Sequence, residues 1–223
     1  VWSTEHGTAQ ERKVEEMIQA VGLDPKEART RRPHEYSGGQ CQRISVARAL
    51  VLDPKVIICD EPVSSLDVSV QARILNMLQD MKEEYGLTLL FISHDLSVVK
   101  NVSDRVAVMY LGKICEIGDG DLIYEKPTHP YTRLLLAAIP DPENKHKDIT
   151  DILEGELPSP LNPPSGCRFR TRCPRATEKC ADEEPEFRQI GSDDHWVACH
   201  FPHIEDDELV SDDEISWPPD GQE

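Results

Sequence analysis

Val56-Ile57-Ile58-Cys59 is an unbroken apolar run of strand length, and two carboxylates, Asp60 and Glu61, follow it at once. Such a run predicts a strand covered on both faces, the habit of parallel sheets packed between helices. Leu87 to Ile92 repeats the pattern, with Ser93 and His94 behind it. Between the two runs, Val70, Ile74, Met77, Leu78, Met81 and Tyr85 form one apolar stripe at helical spacing, and Gly86 supplies a left-handed stop. Strand, helix, strand in this order constrains the chain to an α/β fold, in which chemistry gathers at the carboxyl ends of the strands. Asp60, Glu61 and His94 all fall at such ends.

A third candidate lies upstream. In Tyr36-Ser37-Gly38-Gly39-Gln40, Ser37 and Gln40 have the spacing of a capping box, so a helix is expected to start there and run to Asp53-Pro54. Helix starts present unpaired amides and positive dipole ends, and two glycines leave those amides bare for a phosphate. Earlier still, Val14, Met17, Ile18 and Val21 predict a surface helix over Glu11 to Gly22. Further on, a helix is expected over Leu96 to Val102, then strands over Val106 to Tyr110 and Lys113 to Ile117, with the turn at Leu111-Gly112.

The net charge of −18 excludes a broad nucleic-acid grip, although half of it sits in one place: residues 204–223 hold nine Asp or Glu and no Lys or Arg. That end is expected to be a solvated acidic tail. No apolar run reaches the roughly 18 residues that span a bilayer. Of seven cysteines, Cys41, Cys59 and Cys115 fall within expected helices or strands and are read as small buried hydrophobes.

These residues resemble the ATP-binding subunits of ABC transporters. Ser37 to Gln40 is similar to that family's signature loop, with Tyr36 where Leu is usual. Val56 to Pro62 resembles the Walker B strand, Ser64-Ser65-Leu66-Asp67 the D-loop, and His94 the switch histidine. The resemblance implies a P-loop NTPase-like ABC nucleotide-binding domain, incomplete here, within residues 1–140. It implies ATP and Mg²⁺ as cofactors: Asp60 would hold Mg²⁺ through its water shell, and Glu61 would polarise the attacking water. His94 would reach the γ-phosphate, while Ser37, Gly38, Gly39 and Gln40 would touch a nucleotide held by a facing subunit. Asp67 would help link the two sites. No Gly-x4-Gly-Lys-Ser/Thr loop occurs in the sequence. The missing parts are expected upstream of Val1, and the chain alone is expected to bind ATP weakly and not turn it over.

Thr128-His129-Pro130-Tyr131-Thr132, and Pro158 to Phe169, resemble the carboxyl-terminal extension of oligopeptide and dipeptide importer ATPases. The implied partners are a second ABC ATPase in a homo- or heterodimer, two membrane permeases and, indirectly, a peptide-binding protein, on the cytoplasmic face of the membrane as a peripheral subunit. Nucleic acid is not an expected partner. Relatives that move nickel, and soluble ABC-type ATPases, are the alternatives.

Residues 141–166 read as a Pro-rich linker. Beyond it, within residues 167–203, Cys167, Cys173, Cys180 and Cys199 are spaced C-x5-C-x6-C-x18-C, a small Cys-rich extension. Zinc sites prefer tighter pairs. Four thiolates also suit an iron-sulfur cluster, which the importer resemblance implies in some relatives. A 4Fe-4S cluster, Zn²⁺ and metal-free thiols all remain open. His195, His200 and His203 are near enough in sequence to serve as ligands, with exposed loop positions as the default.

Overall fold

The computed structural model describes residues 8–139, 156–191 and 194–204. Most of the expected linker and nearly all of the acidic tail lie outside them. The chain divides into two units, residues 1–98 and residues 99–223.

The first unit starts with α1 (Thr8–Ala20), α2 (Pro25–Ala28), a 3-10 turn (Pro33–Glu35) and α3 (Gly38–Leu50). It continues through β1 (Val56–Asp60), α4 (Val68–Tyr85) and β2 (Thr88–Ile92). β1 and β2 pair in parallel, Val56 opposite Thr88 through Asp60 opposite Ile92. Met17 of α1 and Val21 just after it, Val46 and Leu50 of α3, and Ile74 and Leu78 of α4 pack with Ile57 and Cys59 on one face of this sheet.

The other face differs from expectation. Val56 (56%), Ile58 (65%), Leu90 (54%) and Ile92 (45%) are exposed, so the strands alternate rather than bury both sides. The residue types fit a doubly covered strand; the described residues supply one layer only.

α5 (Leu96–Val102) leads to the second unit. Its sheet is antiparallel, in the order β3 (Arg105–Tyr110), β4 (Lys113–Asp119), β6 (His195–Ala198), β5 (Phe187–Gln189). The cysteine-bearing stretch therefore shares a sheet with β3 and β4. Helices α6 (Gly120–Glu125) and α7 (Pro130–Ala137) follow β4, and a 3-10 turn (Arg170–Arg172) and α8 (Glu178–Asp182) precede β5. Tyr110, Tyr131 and Phe169 meet edge-on or tilted at centroid distances of 4.9–5.2 Å and anchor the core. Among the described residues, no helix is long and apolar enough to cross a membrane.

Candidate functional site

Ser37 caps α3. Its hydroxyl accepts from Gln40 N–H (3.3 Å), and Gln40 Oε1 accepts from Ser37 N–H (3.0 Å), the reciprocal box that the spacing predicts. A Cβ on Gly39 would stand 2.5 Å from Val70 Cγ1, and one on Gly38 3.2 Å from Leu66 Cδ2. Both glycines thus let the first turn of α3 lie against the segment that carries Asp67, a packing role the sequence did not reveal. Asp67 is the N-cap of α4. Its carboxylate accepts from Ser69 Oγ–H (2.7 Å) and Val70 N–H (3.0 Å), and these bonds hold it below the usual carboxylate range.

The acid pair and the histidine lie at the carboxyl ends of β1 and β2. Glu61 N–H donates to Ile92 O (2.9 Å), tying the turn after β1 to β2. Glu61 has φ 45°, left-handed backbone that a side chain rarely adopts. Ser64 secures the turn, donating its N–H (3.4 Å) and hydroxyl (3.2 Å) to Glu61 O. Glu61 Oε1 lies 3.1 Å from His94 Nδ1, and Asp60, Glu61 and His94 are all exposed. An open carboxylate-imidazole pair beside a second carboxylate can orient a water and flank a hydrated cation.

In the second unit, Cys167, Cys173, Cys180 and Cys199 line one cavity, together with His129 and Phe169. Cys167 N–H donates to Cys180 O (2.8 Å), and Gly166 (φ +58°) makes the approach feasible, since a Cβ there would sit 2.4 Å from that carbonyl. All four thiols are free. Burial pushes Cys167 and Cys173 up, and Cys199 up to about 12. No three His, Cys, Asp or Glu side chains among the described residues are placed to hold a single metal ion. The four thiols therefore share a cavity without forming, among the described residues, the tetrahedral set that zinc takes.

Two expectations about side chains are corrected here. Cys41 is exposed, on the solvent side of α3, whereas Cys59 and Cys115 are buried as expected. His195 is 4% exposed rather than on an open loop, because it lies on β6 and turns to Glu116. His200 lines the cysteine cavity with its Nε2 hydrogen-bonded to Glu183 O (3.0 Å), and His203 is exposed.

Glu116 was not legible in the sequence. A register shift between Val108 and Met109 gives β4 an extra residue, so Cys115 and Glu116 are both buried instead of alternating. The Glu116 carboxylate is fully buried and accepts from Thr128 N–H (2.7 Å), Thr128 hydroxyl (2.7 Å), His129 N–H (3.0 Å) and His195 Nε2–H (2.7 Å). Desolvation raises its pKa, but these bonds outweigh it and the carboxyl stays below its usual range. His129, 2% exposed, is pushed down to about 4 by its own desolvation against the pull of Glu116, and so stays neutral. The Thr128-His129-Pro130 motif is therefore pinned to the sheet through one buried acid.

Residues 2–64 match the family described as "ABC transporter", and residues 115–180 that described as "Oligopeptide/dipeptide transporter, C-terminal region". The oligopeptide transport ATP-binding protein OppF of Escherichia coli (strain K12) is 57% identical over 189 residues, covering 84% of this chain and 56% of that protein. AppF of Bacillus subtilis (strain 168), an oligopeptide transport ATP-binding protein, is 53% identical over 191 residues, 85% of this chain and 57% of its own length. The chain thus spans little more than half of these relatives. Among solved structures, cbiO1 of Clostridium perfringens, described as part of the ABC transporter complex cbiONQ, matches with a TM-score of 0.50 at 28% identity, over 55% of this chain and 49% of that one. The first unit thus matches the family described as "ABC transporter" and the second the family described as "Oligopeptide/dipeptide transporter, C-terminal region", and over more than four fifths of its length the chain is similar to ATP-binding proteins of oligopeptide transport.

Proposed function

We propose that the whole protein is the ATP-hydrolysing subunit of an ABC importer for oligopeptides or dipeptides, docked through membrane permeases on the cytoplasmic face and paired with a second ATPase. The observation that carries this is the Glu61–His94 pair, held 3.1 Å apart at the ends of adjacent parallel strands. In this reading Glu61 takes the proton of the attacking water, and His94 orients Glu61 and the γ-phosphate. Asp60 would hold a hydrated Mg²⁺, which when bound would offset the charge on the phosphates. Ser37 and the amides of Gly38 and Gly39 close the nucleotide site of the facing subunit, and Asp67, next to them in space, links the two sites. The exposed face of Val56, Ile58, Leu90 and Ile92 is where the rest of the nucleotide-binding domain packs. The test is single-turnover ATP hydrolysis. The full-length dimer is expected to hydrolyse ATP, whereas hydrolysis by the 223-residue chain alone would contradict the shared-site reading.

The finer reading of the second unit is an iron-sulfur cluster. Its support is the chemistry of the donors: four cysteines and no acid line one cavity. When bound, such a cluster would cross-link the Cys167–Cys180 segment to β6 through Cys199. Anaerobic purification is expected to give a brown protein with iron and acid-labile sulfide. Colourless protein with stoichiometric zinc would replace this reading with a zinc site.

A further inference from the structure

The loop of residues 61–67 carries Glu61 at one end and Asp67 at the other, and Gln71 grips it at two points. Half-buried near the start of α4, Gln71 donates its Nε2–H to Val63 O (3.0 Å). A carbonyl only accepts, so the amide nitrogen and not its oxygen faces Val63. The main-chain N–H of Gln71 donates to Asp67 O (2.9 Å), the bond that opens the helix after the Asp67 cap. One residue thus holds both the middle and the end of the loop.

Glu61 depends on such restraint. Its φ of 45° is a conformation that persists only where neighbouring contacts enforce it. Ser64 supplies one of them, giving its N–H (3.4 Å) and hydroxyl (3.2 Å) to Glu61 O. Ser64 directly follows Val63, whose side chain is buried in the core of the unit. The route from Gln71 to the acid is therefore short: from the amide to Val63 O, across one peptide bond to Ser64, and from Ser64 to Glu61 O. Val63 O also accepts from Leu66 N–H (3.2 Å), so removing the amide of Gln71 loosens the loop without leaving a buried carbonyl unmatched.

We propose that Gln71 is a positioning residue for hydrolysis: its amide sets where the carboxylate of Glu61 meets the attacking water and fixes that carboxylate relative to Asp67. The inference rests on the reading of Glu61 as general base. Gln71 touches no reacting atom and acts through Val63, Ser64 and Glu61. A general base must lie within hydrogen-bond reach of the proton it takes, and a misplacement of about 1 Å can cost on the order of 10²-fold in rate.

The test is steady-state ATP hydrolysis by the full-length dimer carrying Gln71→Met, Gln71→Lys, Glu61→Gln, or Glu61→Gln together with Gln71→Met. Methionine keeps the unbranched shape of glutamine and has no donor; lysine restores an N–H donor at a similar reach. Gln71→Met is expected to lower kcat roughly 10- to 100-fold with KM for ATP within about twofold of the parent, and Gln71→Lys to recover part of the loss. In the Glu61→Gln background, Gln71→Met is expected to add no further loss, because the two residues act as a unit on one step. A parental kcat in Gln71→Met, with Glu61→Gln slowed, overturns the inference and leaves the base assignment standing. An equal fold loss with and without the Glu61 carboxylate also overturns it, by showing that Gln71 does not act through Glu61. A parental rate in Glu61→Gln removes the base reading, and this inference with it.

Discussion

Glu61 Oε1 and His94 Nδ1 lie 3.1 Å apart, the two residues following neighbouring parallel strands, with Glu61 on left-handed backbone at φ 45°. The direction of the carboxylate is therefore set by the main chain as well as by its rotamer. In the full-length protein, Glu61→Gln should leave ATP binding intact and slow hydrolysis by roughly 10²- to 10⁴-fold, the usual worth of a general base. A native rate would remove Glu61 from that role.

His94→Ala should slow turnover and leave nucleotide affinity nearly unchanged, because in the proposed mechanism the imidazole orients Glu61 and does not anchor the ligand. Equilibrium binding of a nucleotide analogue beside steady-state rates measures the two separately. A large loss of affinity would place His94 elsewhere.

Gly39→Ala puts a methyl group 2.5 Å from Val70 Cγ1. Overpacking of this kind costs typically about 1–3 kcal/mol. If steric pressure is the cause, Gly39→Ala with Val70→Ala should recover much of the loss, whereas additive effects in thermal unfolding would rule the contact out.

Glu116 makes stability depend on pH. Its carboxyl is held below the usual range, so as pH falls the unfolded chain takes up the proton first. The stabilisation is complete above the unfolded carboxylate value, roughly pH 4.3, and is lost as pH drops through the folded value. Glu116→Gln should cost on the order of 1.5–3 kcal/mol at pH 7, as expected for hydrogen bonds to a charged group. The gap to the parent should narrow below about pH 4; a gap independent of pH would show that the charge contributes nothing.

Ile58→Lys with Leu90→Lys tests the bare sheet face. Burying side chains of this size is worth roughly 1.5–3 kcal/mol each. The pair should reduce binding of a hydrophobic dye to the 223-residue chain without changing its helix content, yet destabilise the full-length protein by more than about 3 kcal/mol. Tolerance in the full-length protein would show that nothing packs there.

The first unit was largely legible because its signals are local. Ser37 and Gln40 announce a cap, the Asp67 loop announces α4, and the apolar runs announce β1 and β2. Local patterns could not tell that Ile58 would be exposed, since an apolar run states only what a strand is suited to. In the second unit the informative contacts are distant: Glu116 meets His195 79 positions away, and a bulge breaks the alternation that would have marked the acid as buried. A lone Glu in a strand carries no signal that four donors will converge on it. The same distance kept β6 out of reach, and with it the burial of His195.

Because β6 pairs with β4 through Glu116–Val197, Ile117–Trp196 and Gly118–His195, the middle of the second sheet joins segments made far apart in time. A ribosome releases β3 and β4 long before their neighbour exists, and long-range pairing of this kind is slow to form. Until then β4 has an open edge and Glu116 lacks His195. Maturation of this unit must therefore be a late event, timed by the arrival of residues 195–198 and not by the folding of the hairpin that precedes them.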